Sequence, residues 1–170
     1  MPDLELLRAD HASALLDFEE ENRGYFAAWI PDRGDAYFAT FDERHREELA
    51  WQAEGSAYFH VLVEEDGRIV GRVNLWEVAD DSADVGYRIA AGQTGRGLAT
   101  GAVRQVCELA VGSYGLSVLE ASVSAANPAS RAVLERAGFV PTGDVVLSGR
   151  PGTRFRLELR PPRGSVDPPG

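Results

Sequence analysis

One cysteine in 170 residues rules out an internal disulfide. Cys107 falls within an apolar helical pattern, where a buried structural thiol is expected rather than a nucleophile. Histidine is scarce: there are three, and none has metal-ligand spacing to another histidine or to the cysteine, so no metal site is expected. No apolar run approaches the roughly 18 residues of a membrane span. Met1 to Arg8 shows no basic segment leading into an apolar stretch, so no secretory leader is expected either. Cations are outnumbered, with 17 Lys and Arg against 27 Asp and Glu, giving a net charge of -10. Such a chain is poorly suited to nucleic acid or an anionic membrane, both of which need a basic surface. A cationic partner such as an amine suits it better, although acidity also serves solubility alone. The expectation is a reduced, cytoplasmic protein.

What is present has the balance of a single globular domain: 44% hydrophobic residues supply a core and 26% charged residues a surface. Leu4 to Arg8 can open as a strand. Asp10 or Ser13 can then cap a helix carrying Leu15, Leu16, Phe18, Tyr25 and Phe26, which Trp29, Ile30 and Pro31 break. A second helical stretch is expected from Ala36 to Ala53. Ala57 to Val63, a turn at Glu65–Gly67, Arg68 to Val78, and Asp84 to Ile89 read as three successive antiparallel strands. After Gly97 the period changes to that of a helix, with Leu98, Ala102, Val106, Leu109 and Ala110 on one face. Leu116 to Ser124 is a strand, Pro128 to Ala137 a helix with proline at its first position, and 139–147 and 153–159 are closing strands. The domain spans 1–160. Residues 161–170, rich in Pro and Gly with little to bury, are expected to be a disordered tail. This order describes an α+β fold around one mixed, mostly antiparallel sheet with helices on both faces. The two strands flanking the Gly97 helix should be parallel, because a crossover helix joins them.

The most informative segment is Gln93-Thr-Gly-Arg-Gly-Leu-Ala-Thr100, where a strand ends and a helix begins. Glycines let the backbone approach a ligand, and the first free N–H groups of a helix form an anion site suited to pyrophosphate. Arg96 and the Thr100 hydroxyl could add contacts. A plain glycine-rich turn before a buried helix has the same sequence. Gly95, Gly97 and Gly101 with Glu120 in the next strand also mimic a dinucleotide fingerprint. Antiparallel strands precede the segment, however, and only about seventy residues follow it, too few for the further βα units that fold needs. The second segment runs from Asn127 to Phe139. There Asn127 is placed as an N-cap, Ser130 and Arg131 lie in the first helical turn, and Val133, Leu134 and Ala137 point inward.

Gly-Arg-Gly-Leu-Ala-Thr followed about thirty residues later by Asn-Pro-Ala-Ser-Arg and Glu-Arg-Ala-Gly-Phe resembles the GNAT acetyltransferases. It is most similar to the branch of the RimJ/RimL ribosomal-protein N-terminal acetyltransferases. Asn22-Arg-Gly-Tyr25, Trp29-Ile-Pro31, Val70-Gly-Arg-Val-Asn74 and Asp84-Val-Gly-Tyr87 fit that branch too, so the resemblance covers residues 4 to 160. It implies a V-shaped splay between two strands that receives the pantetheine arm of acetyl-CoA. The main chain of Ile89, Ala90 and Ala91 would pair with that arm. Thr94, Gly95, Arg96, Gly97, Leu98 and Ala99, with Thr100 just inside the helix, would hold the pyrophosphate. Asn127 would bond the arm, and Ser130 would sit near the sulfur and protonate the leaving thiolate. Two positions depart from the family pattern. Thr94 stands where a long polar side chain is usual, which spares the backbone cradle, and Leu134 stands where many relatives carry a catalytic tyrosine.

The implied reaction is direct attack by a neutral amine on the thioester, with both substrates bound at once and no acetyl-enzyme. The acceptor is a protein N-terminus or a small-molecule amine. For the base that deprotonates it, Glu120 is the first candidate, followed by Glu77 and Asp84. His11 and His45 read as exposed, and His60 as a half-buried, hydrogen-bonded ring. Trp29, Tyr37, Phe41, Trp51 and Trp76 either line the acceptor wall or form an aromatic core. A non-catalytic module that senses acyl-CoA is the alternative function. The closing strands could pair across a homodimer, though nothing in the sequence demands one.

Overall fold

In the computed structural model, residues 2–95 and 97–159 are described. Arg96 and the expected 161–170 tail lie outside them. Seven strands form one sheet: β1 (Asp3–Leu6), β2 (Tyr58–Val63), β3 (Ile69–Ala79), β4 (Ser82–Ile89), β5 (Val118–Ser124), β6 (Val140–Leu147) and β7 (Arg150–Glu158). Their order is β1-β2-β3-β4-β5-β7-β6, and every neighbouring pair is antiparallel except β4 with β5. That parallel pair is the one joined by the crossover helix α5 (Leu98–Gly112), as its length requires.

Strand alternation sends side chains to two cores, one on each face. On one face α5 and α6 (Pro128–Arg136) cover Val73, Leu75, Val85, Ile89, Leu119, Ala121 and Phe155. The apolar stripe of α5 is Leu98, Ala102, Val103, Val106 and Ala110, all buried. Each fully buried Val or Leu there contributes roughly 1.5–3 kcal/mol. On the other face lie α1 (Ala12–Glu21), α2 (Arg23–Ala27), α3 (Asp35–Ala39) and α4 (Phe41–Glu54). They bury Leu15, Phe18, Phe26 and Phe41 against Phe59, Val61 and Ile69.

Several local expectations are corrected here. The first helix breaks at Asn22, because that side chain is drawn to two main-chain groups: Nδ2 donates to Phe18 O (2.9 Å) and Oδ1 accepts from the Ala91 N–H (3.0 Å). Neither Asp10 nor Ser13 caps α1. The chain enters it through a 3-10 turn at Ala9–His11, where the His11 ring accepts from the Arg8 N–H (2.9 Å). The 36–53 stretch is two helices parted at Thr40, whose hydroxyl donates back to Ala36 O (2.7 Å) instead of leaving the ladder undisturbed. His11 and His45 are not exposed but buried at 6% and 4% exposure, since both rings bond the Arg8 main chain.

Candidate active site

The parallel β4–β5 ladder is only three residue pairs long: Ser82 with Val118, Ala83 with Leu119, and Asp84 with Glu120. Beyond Asp84, β4 continues to Ile89 on β3, while beyond Glu120, β5 continues to Ser124 on β7. The two strands therefore part company, and among the described residues no strand pairs with the edge of β4 away from β3 beyond Asp84. The Ala90 N–H is turned toward β3, bonding Val70 O (2.9 Å), so by alternation the main-chain groups of Val85, Tyr87 and Ile89 face the gap. This narrows the expected Ile89–Ala91 run. Ala90 N–H is taken by β3 and Ala91 N–H by Asn22, which leaves Ile89 as the donor on the open edge.

At the mouth of the gap the chain passes Thr94 and Gly95 and enters α5 at Gly97. Gly95 and Gly97 have φ of 79° and 72°, a region that L side chains avoid. Gly97 is the N-cap, and having no side chain it makes no side-chain cap to the first turn of α5. A 15-residue helix thus presents its amino end, with exposed glycines in front, beside the splay. Leu98 is buried and Ala99 packs on the core, so these two residues offer main chain only. Thr100, just inside the helix, is also buried, at 8% exposure.

Across the gap, Asn127 caps α6 as its sequence position predicts, with Oδ1 accepting from the Ser130 N–H (3.1 Å). Ser130 is half-buried, and its Oγ accepts a hydrogen bond of 2.8 Å from the Tyr87 hydroxyl on β4. Burial pushes the Tyr87 phenol upward, with the Ser130 bond opposing that shift. Leu134, one turn further along α6, is a buried core residue.

On the opposite face, the closed end of the splay carries Asp84 and Glu120 side by side. Arg154 of β7 joins them, donating to Asp84 at 2.7 and 3.2 Å and to Glu120 at 2.7 Å, with a further bond to Ser122 (2.9 Å). The guanidinium is held above its usual range, chiefly by the Asp84 hydrogen bond. Glu120 is thus beside the splay but ion-paired. Glu77 sits in the β3 bulge between Trp76 and Ala79, at φ 52° and exposed, one residue after the Trp76 that pairs with Asp84.

The remaining candidates are structural. His60 is fully buried rather than half-buried. One ring nitrogen lies 3.0 Å from Val73 O and the other 2.6 Å from Tyr114 Oη, and burial lowers its pKa to about 4. Cys107 is half-buried against the core rather than fully buried, and its burial raises the thiol to about 11, which does not suit a nucleophile. Phe41 is core, Tyr37 and Trp51 pack against it, and Trp29 and Trp76 are exposed. Trp76 lies over Gly86, where a Cβ would meet the indole at 2.3 Å.

Two features were not legible from the sequence. Tyr87 was read only as part of a motif, and its reach to Ser130 depends on how far the strands diverge. Arg72, 0% exposed, anchors a buried ion cluster, donating to Glu19 (3.0 Å) and Glu48 (3.1 Å). Arg33 and Arg88 also bond Glu19. Burial pushes the Glu19 carboxyl up, but Arg33, Arg72 and Arg88 outweigh it and the net shift is downward. The cluster fixes α1 and α4 against β3 and β4.

A seven-stranded mixed sheet splayed between β4 and β5, with a glycine-capped helix at the mouth of the splay, is the architecture of the GNAT fold. Residues 3–140 match the acetyltransferase (GNAT) domain family, and the chain belongs to that family. It is 32% identical over 143 residues to the probable N-acetyltransferase YjcK of Bacillus subtilis, covering 81% of this chain and 79% of that one. Among solved structures, the ribosomal-protein-S5-alanine acetyltransferase of Vibrio fischeri superposes with a TM-score of 0.87 at 20% identity, covering 92% of both chains. Mycobacterium smegmatis RimJ, in complex with CoA-disulfide, superposes at 0.81 with 25% identity, covering 91% of this chain and 80% of that one. The fold excludes the dinucleotide-fingerprint reading of Gly95 to Gly101, since antiparallel strands lead into that segment and one parallel pair follows it. Among the described residues, no helix is long and apolar enough to cross a membrane, and no cluster of three or more His, Cys, Asp or Glu is arranged for a metal ion.

Proposed function

We propose that the protein moves the acetyl group of acetyl-CoA onto a primary amine by direct attack in a ternary complex. The observation that carries this reading is the β4–β5 splay, in which a strand edge ending at Ile89 is left without a partner next to the Gly97-capped end of α5. An extended pantetheine arm can complete the open edge as an added strand would, and its pyrophosphate meets the amino end of the helix. Ile89 main chain, the Thr94–Gly97 turn and the first turn of α5 hold the cofactor. The Asn127 Oδ1 is committed to its helix cap, so its amide nitrogen is the end that meets the arm. The Ser130 hydroxyl serves the sulfur. When bound, acetyl-CoA supplies the electrophilic carbonyl; the chain binds it, orients it and assists departure of the thiolate.

The acceptor enters from the face that carries Asp84 and Glu120. Glu120, acting through a water because Arg154 occupies its Oε2, takes the proton that the attacking amine must lose. The resemblance of its motifs to the RimJ/RimL-like branch makes a protein N-terminus the first acceptor class to test, with small-molecule amines second. The test is a panel of N-terminal peptides and small amines incubated with enzyme and acetyl-CoA, following free thiol and the mass of the acceptor. Transfer to one class at saturating cofactor supports the reading. Tight acetyl-CoA binding without transfer to any amine would favour an acyl-CoA-sensing module instead.

A further inference from the structure

The two arms of the splay are linked by the hydrogen bond between Tyr87 on β4 and Ser130 on α6, 2.8 Å between the oxygens. We infer that Tyr87 is a positioning residue for acetyl transfer, holding the Ser130 hydroxyl so that its proton is directed to the departing sulfur. This rests on the reading of Ser130 given above.

The direction of the bond follows from acidity. A phenol ordinarily titrates near 10, far below an alcohol, so Tyr87 is the donor and Ser130 Oγ the acceptor. The hydrogen of Ser130 cannot lie on the same axis and is left for another acceptor. A donor that is itself an acceptor becomes polarised, and its own hydrogen bond strengthens. Without the phenol, the Ser130 hydroxyl is free to rotate toward the carbonyls of its own helix, as serine in a first turn commonly does. Tyr87 is well held for this task, since its ring packs against the core formed by β4, β5 and α5.

No proton need leave Tyr87 in the reaction. The amine nitrogen forms its bond to the acetyl carbon, the C–S bond breaks with its electron pair going to sulfur, and the base takes the amine proton. A thiol titrates near 8.5, below both hydroxyls, so the sulfur departs as a thiolate stabilised by the Ser130 hydrogen bond and later takes a proton from water. Tyr87 and Ser130 end the cycle as they began it. Their contribution lies in the transition state, where charge appears on sulfur, and it should therefore appear in kcat and not in cofactor binding.

The experiment is a double-mutant cycle on the full chain with Tyr87→Phe, Ser130→Ala and both together. Steady-state kinetics would use acetyl-CoA and an acceptor that the wild type turns over, with acetyl-CoA affinity measured by titration. Ser130→Ala should lower kcat about tenfold or more. Tyr87→Phe should lower it roughly threefold to tenfold, with the KM and Kd for acetyl-CoA within about twofold of wild type, and the double variant should be no slower than Ser130→Ala. A Tyr87→Phe enzyme with wild-type kcat, a loss confined to KM, or a loss repeated in full on the Ser130→Ala background would overturn the inference. An unaltered kcat in Ser130→Ala would instead remove the Ser130 reading itself, so the two failures are separable.

Discussion

Mild acid should destabilise this protein chiefly through one buried ring, that of His60. His60 is fully buried, bonded to Val73 O and Tyr114 Oη, and its pKa falls to about 4 because burial disfavours the charged imidazole. In the unfolded chain the same group titrates near 6.5. Between those values the unfolded state binds the extra proton, so stability is at its plateau above 6.5, falls as pH drops toward 4, and levels off below. Linkage over that window gives a loss of about 2 kcal/mol between pH 8 and pH 5. The carboxylates that are held low in the folded state, such as Glu19, lose their contribution only below their ordinary range near 4.5 and so leave this interval flat. His11, also lowered by burial, adds to the same slope. A comparison with His60→Gln removes that background, because the amide can still donate to Val73 O and accept from Tyr114. Urea unfolding followed by tryptophan fluorescence at pH 8, 6.5 and 5 should show the wild type losing about 2 kcal/mol more than the variant, or roughly 4–8 °C in Tm for a chain of this size. Equal losses in the two proteins would refute the buried, neutral state of His60.

Other perturbations test other parts of the account. Glu19→Ala leaves Arg72 buried with one of its two carboxylates gone and deprives Arg33 and Arg88 of theirs, so chemical denaturation should show a loss of about 3–5 kcal/mol. At Gly97 a Cβ would meet no atom within 4 Å, so the penalty of Gly97→Ala is conformational. It should cost about 1–2 kcal/mol from the positive φ alone, read as a fall in Tm, and should weaken acetyl-CoA in titration. Glu120→Gln should lower kcat by about a hundredfold or more with acetyl-CoA affinity retained; an unchanged kcat would shift the base to Asp84.

The sequence revealed most where local chemistry dictates local structure. The period change after Gly97, the Asn127-Pro128 cap and the short turns between β2, β3 and β4 each reflect residue preferences within a few positions. The parallel β4–β5 pair followed from the crossover alone. What stayed hidden depends on contacts between distant segments. Asn22 breaks a helix because Ala91, sixty-nine residues away, needs an acceptor. His11 and His45 look exposed by their neighbours, yet both are buried against the Arg8 main chain. The buried Arg72 has no local sign, since an arginine in an apolar strand looks solvent-facing until Glu19 and Glu48 arrive from two helices. In the candidate site, the glycine turn before α5 and the Asn127 cap of α6 were legible as local geometry, whereas the pairing of Glu120 with Arg154 and of Tyr87 with Ser130 required the splay itself.

The most direct test of the central claim is isothermal titration of the purified protein with acetyl-CoA, with NADPH in a parallel cell. Saturable one-site binding of acetyl-CoA, silence with NADPH, and weakening by Gly97→Ala are the predicted results. Absence of heat from acetyl-CoA would contradict the assignment of the splay as a cofactor cleft, and heat from NADPH alone would mean that Gly95 to Gly101 serves a dinucleotide after all.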